Sequence, residues 1–326
     1  MHTINDAVRL FHAARHVAIA THIRPDGDAL GSAFGLRRIL SLAGKHAAVV
    51  ALDPVPERYQ FMVRDEILLP ASATGPRDWD LLTVLDTGAM DRASAALRDW
   101  LPLVTCLNID HHPTNTAFGN VNYVNPAASS TGEMVCDIAR AAGYAIPAEA
   151  AEALWIAIIT DTGRFAFSNT TPAALQTAAT LVQTGGVATN WINDQIFNST
   201  TAAQLRLHGR AINSLELLHE GRLAMVSLSR EDLADCGCRG EDTEDIITIP
   251  RRITGVEVAL FAYELPGEAR NTKISLRASV PHDAAAFCQA LGGGGHARAA
   301  GCTVELPLAE ARRKILEAIG KAWFPA

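Results

Sequence analysis

At 326 residues the chain is too long for one average domain and ample for two, each able to bury a core of its own. Its 48% hydrophobic and 19% charged residues are ordinary globular composition, and no apolar stretch reaches the roughly eighteen residues of a membrane span. The formal net charge of -7 argues against a protein that grips long nucleic acid, since such binding draws on many Lys and Arg, although a local basic groove is hidden in a whole-chain sum.

The N-terminus, Met1 to Leu10, lacks a basic cluster followed by an apolar run, so no secretory signal is expected. From Val17 to about Thr105, short apolar runs (VAIATH, HAAVVALD, WDLLTVLD, LVTCLNID) alternate with helical patterns such as Ala29 to Ala43, closed by Gly44. That alternation predicts strand–helix units and a parallel sheet with helices on both faces. Between Ser130 and Gln183 the pattern is helical: Ser130 or Thr131 caps one helix, Pro172 starts another, and Gly185-Gly186 ends it. Trp191 to Gly209 reads as a helical connector. After Gly221 the strands return (RLAMVSLS, VEVALFAYEL, NTKISLRAS), with the helical segment Glu241 to Arg252 between them. The expected fold is α/β, with domain boundaries at 1–188, a connector over 189–209, and a smaller α/β domain with a mixed sheet over 210–326. Cys106, Cys136, Cys236, Cys238, Cys288 and Cys302 are scattered rather than framed for disulfides, which fits a soluble protein of the reducing cytoplasm.

Three apolar strands deliver carboxylates or imidazoles at their ends. The first runs into His22-Ile23-Arg24-Pro25-Asp26-Gly27-Asp28, where Gly27 is expected to allow the tight turn that gathers His22, Asp26 and Asp28. The second, Leu81 to Leu85, delivers Asp86; the third, Leu103 to Ile109, delivers Asp110-His111-His112. A single Asp after a strand is usually a turn residue or a helix cap, but three sets in register are the layout of a metal site at one edge of a sheet. A nearly all-apolar helix, Leu154 to Thr160, then carries Asp161 inward, where a carboxylate is costly unless paired or bound to metal.

These motifs, in this order, resemble the DHH phosphoesterase superfamily, and Gly292-Gly293-Gly294-Gly295-His296-Ala297-Arg298 resembles the glycine-rich signature of its C-terminal substrate domain, DHHA1. The length and domain content are similar to the nanoRNase and pAp-phosphatase branch. The resemblance implies two Mn²⁺ ions, with Mg²⁺ or Co²⁺ as substitutes: His22 and Asp26 hold one, Asp28, His111 and Asp161 the other, and Asp86 bridges them to activate a hydroxide. Asp86, Asp110 and His112 form the catalytic set, with Asp110 orienting His111 or the neighbouring loop and His112 facing the phosphate. Arg164, Gly293, Gly294, Gly295, His296 and Arg298 are the expected substrate contacts; glycines let backbone N–H groups approach a phosphate while Arg298 donates to it.

The implied activity is hydrolysis of short oligoribonucleotides, linear dinucleotides such as pGpG and pApA included, with adenosine 3′,5′-bisphosphate as a second substrate. The C-terminal domain would close over a cleft and measure the terminal phosphate. The expected partners are these short oligoribonucleotides and mononucleotide bisphosphates, not long nucleic acid or membrane, with a homodimer left open. Two other readings are a manganese inorganic pyrophosphatase and a non-catalytic nucleotide-binding protein, the latter disfavoured because every expected ligand position is filled.

Overall fold

Continuous apolar runs make parallel strands when helices bury both faces of the sheet. The computed structural model describes residues 2–51, 53–64, 66, 68–93, 95–267 and 270–325 and divides the chain into two compact units, Met1–Ser199 and Thr200–Ala326. The first contains α1 (Ile4–Ala13), β1 (His16–Ala20), α2 (Gly27–Leu42), β2 (His46–Ala51), β3 (Leu68–Pro70), β4 (Leu81–Leu85), α3 (Met90–Ala93), α4 (Ala95–Arg98), β5 (Thr105–Asp110), β6 (Val121–Val124), α5 (Thr131–Ala142), α6 (Ala148–Asp161), α7 (Pro172–Gly185) and α8 (Thr189–Asn193). Its sheet has the order β3-β2-β1-β4-β5-β6, and every pair is parallel. One face, with Val17, Ile19, Leu81, Leu107 and Ile109, lies under Phe11, Phe34, Val135 and Ile156 of the flanking helices. The other, with Ala18, Ala20, Leu82, Val84 and Cys106, packs on Met90, Ala93, Leu97 and Trp100. Burial on both sides explains why β4 is buried at every position.

The order in which strands are added reverses between β1 and β4, and ligands bind in open α/β sheets at the carboxyl ends of such strands. The expected helix ends hold: the Ser130 hydroxyl accepts from the Glu133 amide at 3.1 Å, and Gly186, at φ 63°, ends the helix that Pro172 begins. Helix α2 starts two residues before Ala29, because the Asp26 side chain accepts from the amides of Asp28 and Ala29, both at 3.1 Å. The edge strands β3 and β6, three and four residues long, carry no apolar run of readable length.

The second unit contains α9 (Ala202–Asn213), β7 (Glu216–Leu218), β8 (Leu223–Leu228), α10 (Arg230–Cys236), α11 (Thr248–Arg251), β9 (Val258–Glu264), β10 (Thr272–Ala278), α12 (Ala284–Gln289), β11 (Gly294–His296), β12 (Ala299–Val304) and α13 (Leu308–Trp323). The stretch read as a connector is thus split, α8 falling in one unit and α9 in the other. Its sheet, ordered β11-β12-β10-β9-β8-β7, is mixed: β8 and β9 are parallel and the other pairs antiparallel. One face packs Leu260, Ile274 and Leu276 on Cys288, Ile315 and Ile319 of α12 and α13. On the other, Val226, Leu228, Phe261 and Tyr263 meet Leu207, Ala211 and Leu233, and among the described residues that cluster takes none from β10, β11 or β12. No helix among the described residues is long and apolar enough to cross a membrane.

Candidate metal centre

Because β1, β4 and β5 are adjacent and parallel, the residues that follow them emerge side by side at one sheet edge. His22 follows β1 by two residues, Asp86 follows β4 directly, and Asp110 and His111 end and follow β5. Asp86 is left-handed at φ 53°, a conformation that costs a non-glycine residue about 1–3 kcal/mol and recurs at functional sites. Its amide donates to the Ile109 carbonyl at 3.0 Å, and the residue is 2% exposed.

The two oxygens of Asp86 face two different donor groups. Oδ2 is 3.6 Å from His22 Nε2, which is in turn 3.9 Å from Asp26 Oδ1. Oδ1 is 3.6 Å from His111 Nε2, which lies 3.7 Å from Asp28 Oδ2 and 3.7 Å from Asp161 Oδ2. Each separation is too long for a hydrogen bond. Each suits two ligands converging on one cation, whose bonds of roughly 2.0–2.3 Å put neighbouring donors about 3–4 Å apart. Both imidazoles turn Nδ1 to a backbone carbonyl, His22 to Ile23 at 2.9 Å and His111 to Ala128 at 3.4 Å, and so turn Nε2 to the carboxylates. Asp28 is held by the start of α5: its oxygens accept from the amides of Thr131 at 2.7 Å and Gly132 at 2.9 Å, and from Ser32 Oγ at 3.1 Å. Thr131 Oγ1 donates to Asp86 Oδ1 at 3.2 Å.

The electrostatics of the protein alone suit a cation. Burial, aided by Asp86, Asp161 and Asp26, pushes Asp28 well above the usual carboxylate range. Burial, opposed by His111 and aided by Asp86 and Asp26, pushes Asp161 up to about 7. Burial would lower His22, but the carboxylates of Asp26 and Asp86 prevail and raise it to about 10. Burial acts likewise to raise Asp86, yet His22, His112 and His111 hold it below its ordinary value. Such crowding of carboxylates with imidazoles that hold protons is relieved by divalent cations, whose hard and borderline character suits this N/O set.

Two expectations about local structure change. Gly27 makes no left-handed turn; it opens α2, and a Cβ there would meet the Thr160 side chain at 2.5 Å. Gly31 and Gly35, one and two turns on, are closed in the same way by Ala153 and Leu154, so a glycine stripe lets α2 lie against α6 and brings Asp28 and Asp161 to the same edge. Asp110, fully buried, accepts from His112 Nδ1 at 2.7 Å and not from His111. Burial lowers His112, but this bond and the charges of Asp86, Asp110 and Asp161 raise it to about 9.

Arg164 and Phe165 are both left-handed, at φ 60° and 62°, and the Arg164 guanidinium lies 4.9 Å above the Phe197 ring rather than among the six donors. In the second unit the glycine run is half strand: Gly294, Gly295 and His296 pair with Gly301, Ala300 and Ala299. A Cβ at Gly293 would lie 2.2 Å from the Gly301 carbonyl, so close strand packing needs glycine there, while Gly294 has nothing within 4 Å. Arg298 donates to the His282 carbonyl at 2.5 Å. On one face of this sheet, Arg277 opposes Ala299, which opposes His296, and Ser275 opposes Gly301, which opposes Gly294. Burial and the charge of Arg251 lower Arg277 to about 10. Two guanidiniums near one another, beside backbone bare of side chains, are chemistry that suits an anion.

Residues 16–158 match the model of the DHH family, N-terminal domain, and residues 233–323 that of the DHHA1 domain. The chain is 34% identical over 310 residues to the bifunctional oligoribonuclease and PAP phosphatase NrnA of Thermus thermophilus, covering 93% of this chain and 89% of that protein. The chain belongs to the NrnA family of DHH/DHHA1 proteins. The NrnA protein of Bacillus subtilis, with the same bifunctional name, is 26% identical over 88% of this chain and 89% of its own. A solved exopolyphosphatase-related protein from Bacteroides fragilis superposes with a TM-score of 0.86 at 25% identity, covering 98% of this chain and 96% of that one. Membership in the NrnA family sets the reaction class, phosphoric ester hydrolysis by a metal-dependent enzyme. The nearness of Arg277 and Arg251 was not legible in the sequence, since one lies inside a strand and the other at a helix end.

Proposed function

We propose that this NrnA-family enzyme hydrolyses short oligoribonucleotides, including linear dinucleotides such as pGpG and pApA, and adenosine 3′,5′-bisphosphate, with two Mn²⁺ ions. The observation that carries the reading is Asp86, which offers one oxygen to His22 and Asp26 and the other to His111, Asp28 and Asp161. His22 and Asp26 would hold one ion, Asp28, His111 and Asp161 the second, and Asp86 both. Bound there, the ions supply Lewis-acid charge to the phosphoryl oxygens and favour ionisation of water at neutral pH. His112 gives a proton to the leaving oxygen, while Asp110, bonded to its Nδ1 at 2.7 Å, fixes the ring's orientation. Arg277, with Arg251 and His296, takes a second phosphate of the substrate; Arg164, Arg298 and Gly293 to Gly295 are the further contacts in this reading. The free, buried thiols of all six cysteines support a cytoplasmic setting.

The test is hydrolysis of defined RNAs of two to ten nucleotides, adenosine 3′,5′-bisphosphate and inorganic pyrophosphate, each with and without Mn²⁺. Cation-dependent turnover that falls with chain length is expected. Turnover of pyrophosphate alone would replace the nucleotide reading by a pyrophosphatase.

A further inference from the structure

Besides the six donors and the Asp110–His112 pair, the same sheet edge holds two side-chain amides, one buried and one half-buried. Asn108 lies on β5 and is fully buried. Its Nδ2 donates to the carbonyls of Val84 and Thr87, both at 3.2 Å, on either side of Asp86. Its Oδ1 accepts from Asn115 Nδ2 at 2.8 Å. The same Asn115 nitrogen donates to Asp110 Oδ2 at 2.6 Å, while Asn115 Oδ1 accepts from the Ala117 amide at 2.7 Å. The Asn115 amide also donates to the His112 carbonyl at 3.2 Å, which folds the loop back over the strand end.

This network has a direction. Asp110 has two oxygens; Asn115 takes Oδ2, and Oδ1 receives His112 Nδ1. Without a donor at Oδ2 a fully buried carboxylate loses one of its partners and can rotate, and the imidazole it holds rotates with it. Asparagine is required by chemistry as well as shape: an aspartate at 115 would set a second carboxylate against Asp110 Oδ2 and offer Asn108 Oδ1 no proton. The opposite end of the network is anchored on the backbone around Asp86, so the imidazole and the carboxylate facing both donor groups share one scaffold.

We infer that Asn115, backed by Asn108, is a positioning residue that fixes the Asp110–His112 pair for proton transfer, without being a ligand or touching the substrate. The inference rests on the phosphoesterase reading for its kinetic consequence and on the hydrogen bonds alone for its structural one.

Two readouts separate them. The first uses ¹⁵N-labelled protein without metal and follows the imidazole of His112 by two-bond ¹⁵N–¹H correlation. Wild type should show the proton of His112 on Nδ1, shifted downfield by the carboxylate, and Asn115→Ala and Asn115→Asp should both lose that signature. The second is steady-state kinetics on pApA with Mn²⁺, metal content measured alongside. Asn115→Ala should lower kcat about 10–100-fold with KM and bound metal unchanged, as losses of groups behind a catalytic residue do. Asn115→Asp should fall further. In a His112→Ala background Asn115→Ala should cost nothing more, because its only route to the chemistry has gone. An unchanged His112 signature, or multiplying losses in the double variant, overturns the inference. Loss of a bound ion in Asn115→Ala also overturns it, by placing the effect on the metal centre. An inactive wild type with the expected signature would retire the phosphoesterase reading and leave the positioning role standing.

Discussion

The two units solve opposite electrostatic problems with different sheets. In the first, parallel strands all end on one edge, so one reactive residue after each of β1, β4 and β5 is enough to gather His22, Asp86 and His111. In the second, antiparallel strands alternate direction, and the groups that collect do so along a face: Arg277, His296 and Ser275 share it through cross-strand register. Strand ends make a compact, acid-rich cluster suited to cations, and cross-strand register makes a broader, base-rich one suited to anions. The net charge of -7 sums the two and reveals neither.

The largest expected break in this comparison is at Asp86. Asp86→Asn keeps the shape but removes the charge shared by both donor groups, and turnover should fall by more than the roughly 10–100-fold that outlying groups cost, with circular dichroism unchanged. Near-normal rates at saturating Mn²⁺ would mean that Asp86 does not face two ions.

Proton linkage comes next. His22 at about 10 and Asp161 at about 7 hold protons that a cation must displace, so affinity should rise about tenfold per pH unit from His22 between pH 6 and pH 9, with a further rise from Asp161 that levels off above pH 7. The metal-free protein should behave in the opposite sense. Both groups are raised on folding, so the stability they contribute is present below about pH 4 for Asp161 and about 6.5 for His22, and is lost as pH climbs through 7 and 10. Calorimetric titration in buffers of different ionisation heat reads the released protons; flat affinity across that range would remove the linkage.

On the anion face, Arg277→Ala should raise KM for a 5′-phosphorylated dinucleotide about 10–100-fold, the worth of about 1.5–3 kcal/mol in charge-assisted bonds. Bis-p-nitrophenyl phosphate, which has no second phosphate, should be cut at a nearly normal rate. Arg298→Ala should weaken the dinucleotide less, since its guanidinium already serves the His282 carbonyl. Equal losses on both substrates would deny the face a role in selecting substrate.

The smallest effect is one of stability. A Cβ at Gly31 would stand 2.4 Å from the Ala153 carbonyl oxygen, so Gly31→Ala should destabilise the first unit by about 1–3 kcal/mol in urea. Gly294→Ala, in open space, should stay within about 0.5 kcal/mol. Equal costs would show that glycine is needed in both places for the same reason.

The sequence by itself determined the alternation of strands and helices, the all-parallel first sheet, the mixed second one, and the candidate ligands, because a reactive residue that follows an apolar strand has nowhere to go but the sheet edge. It could not give the edge strands β3, β6 and β7, which are too short to show a period. Nor could it say why Gly27 is glycine: the reason is Thr160, 133 positions away, and lies in helix packing rather than in a turn. The partner of Asp110 turned on which of two neighbouring histidines its oxygen reaches, and Asn108 and Asn115 look like ordinary strand and loop residues until hydrogen bonds join them. Arg277 sits in an alternating strand whose polar positions normally meet solvent, and its nearness to Arg251, 26 positions back, arises only once α11 packs by the sheet. Local chemistry is written residue by residue, but which faces are covered, which backbones touch and which amide reaches which carboxylate depend on pairings between distant segments, and those exist only once the chain has packed.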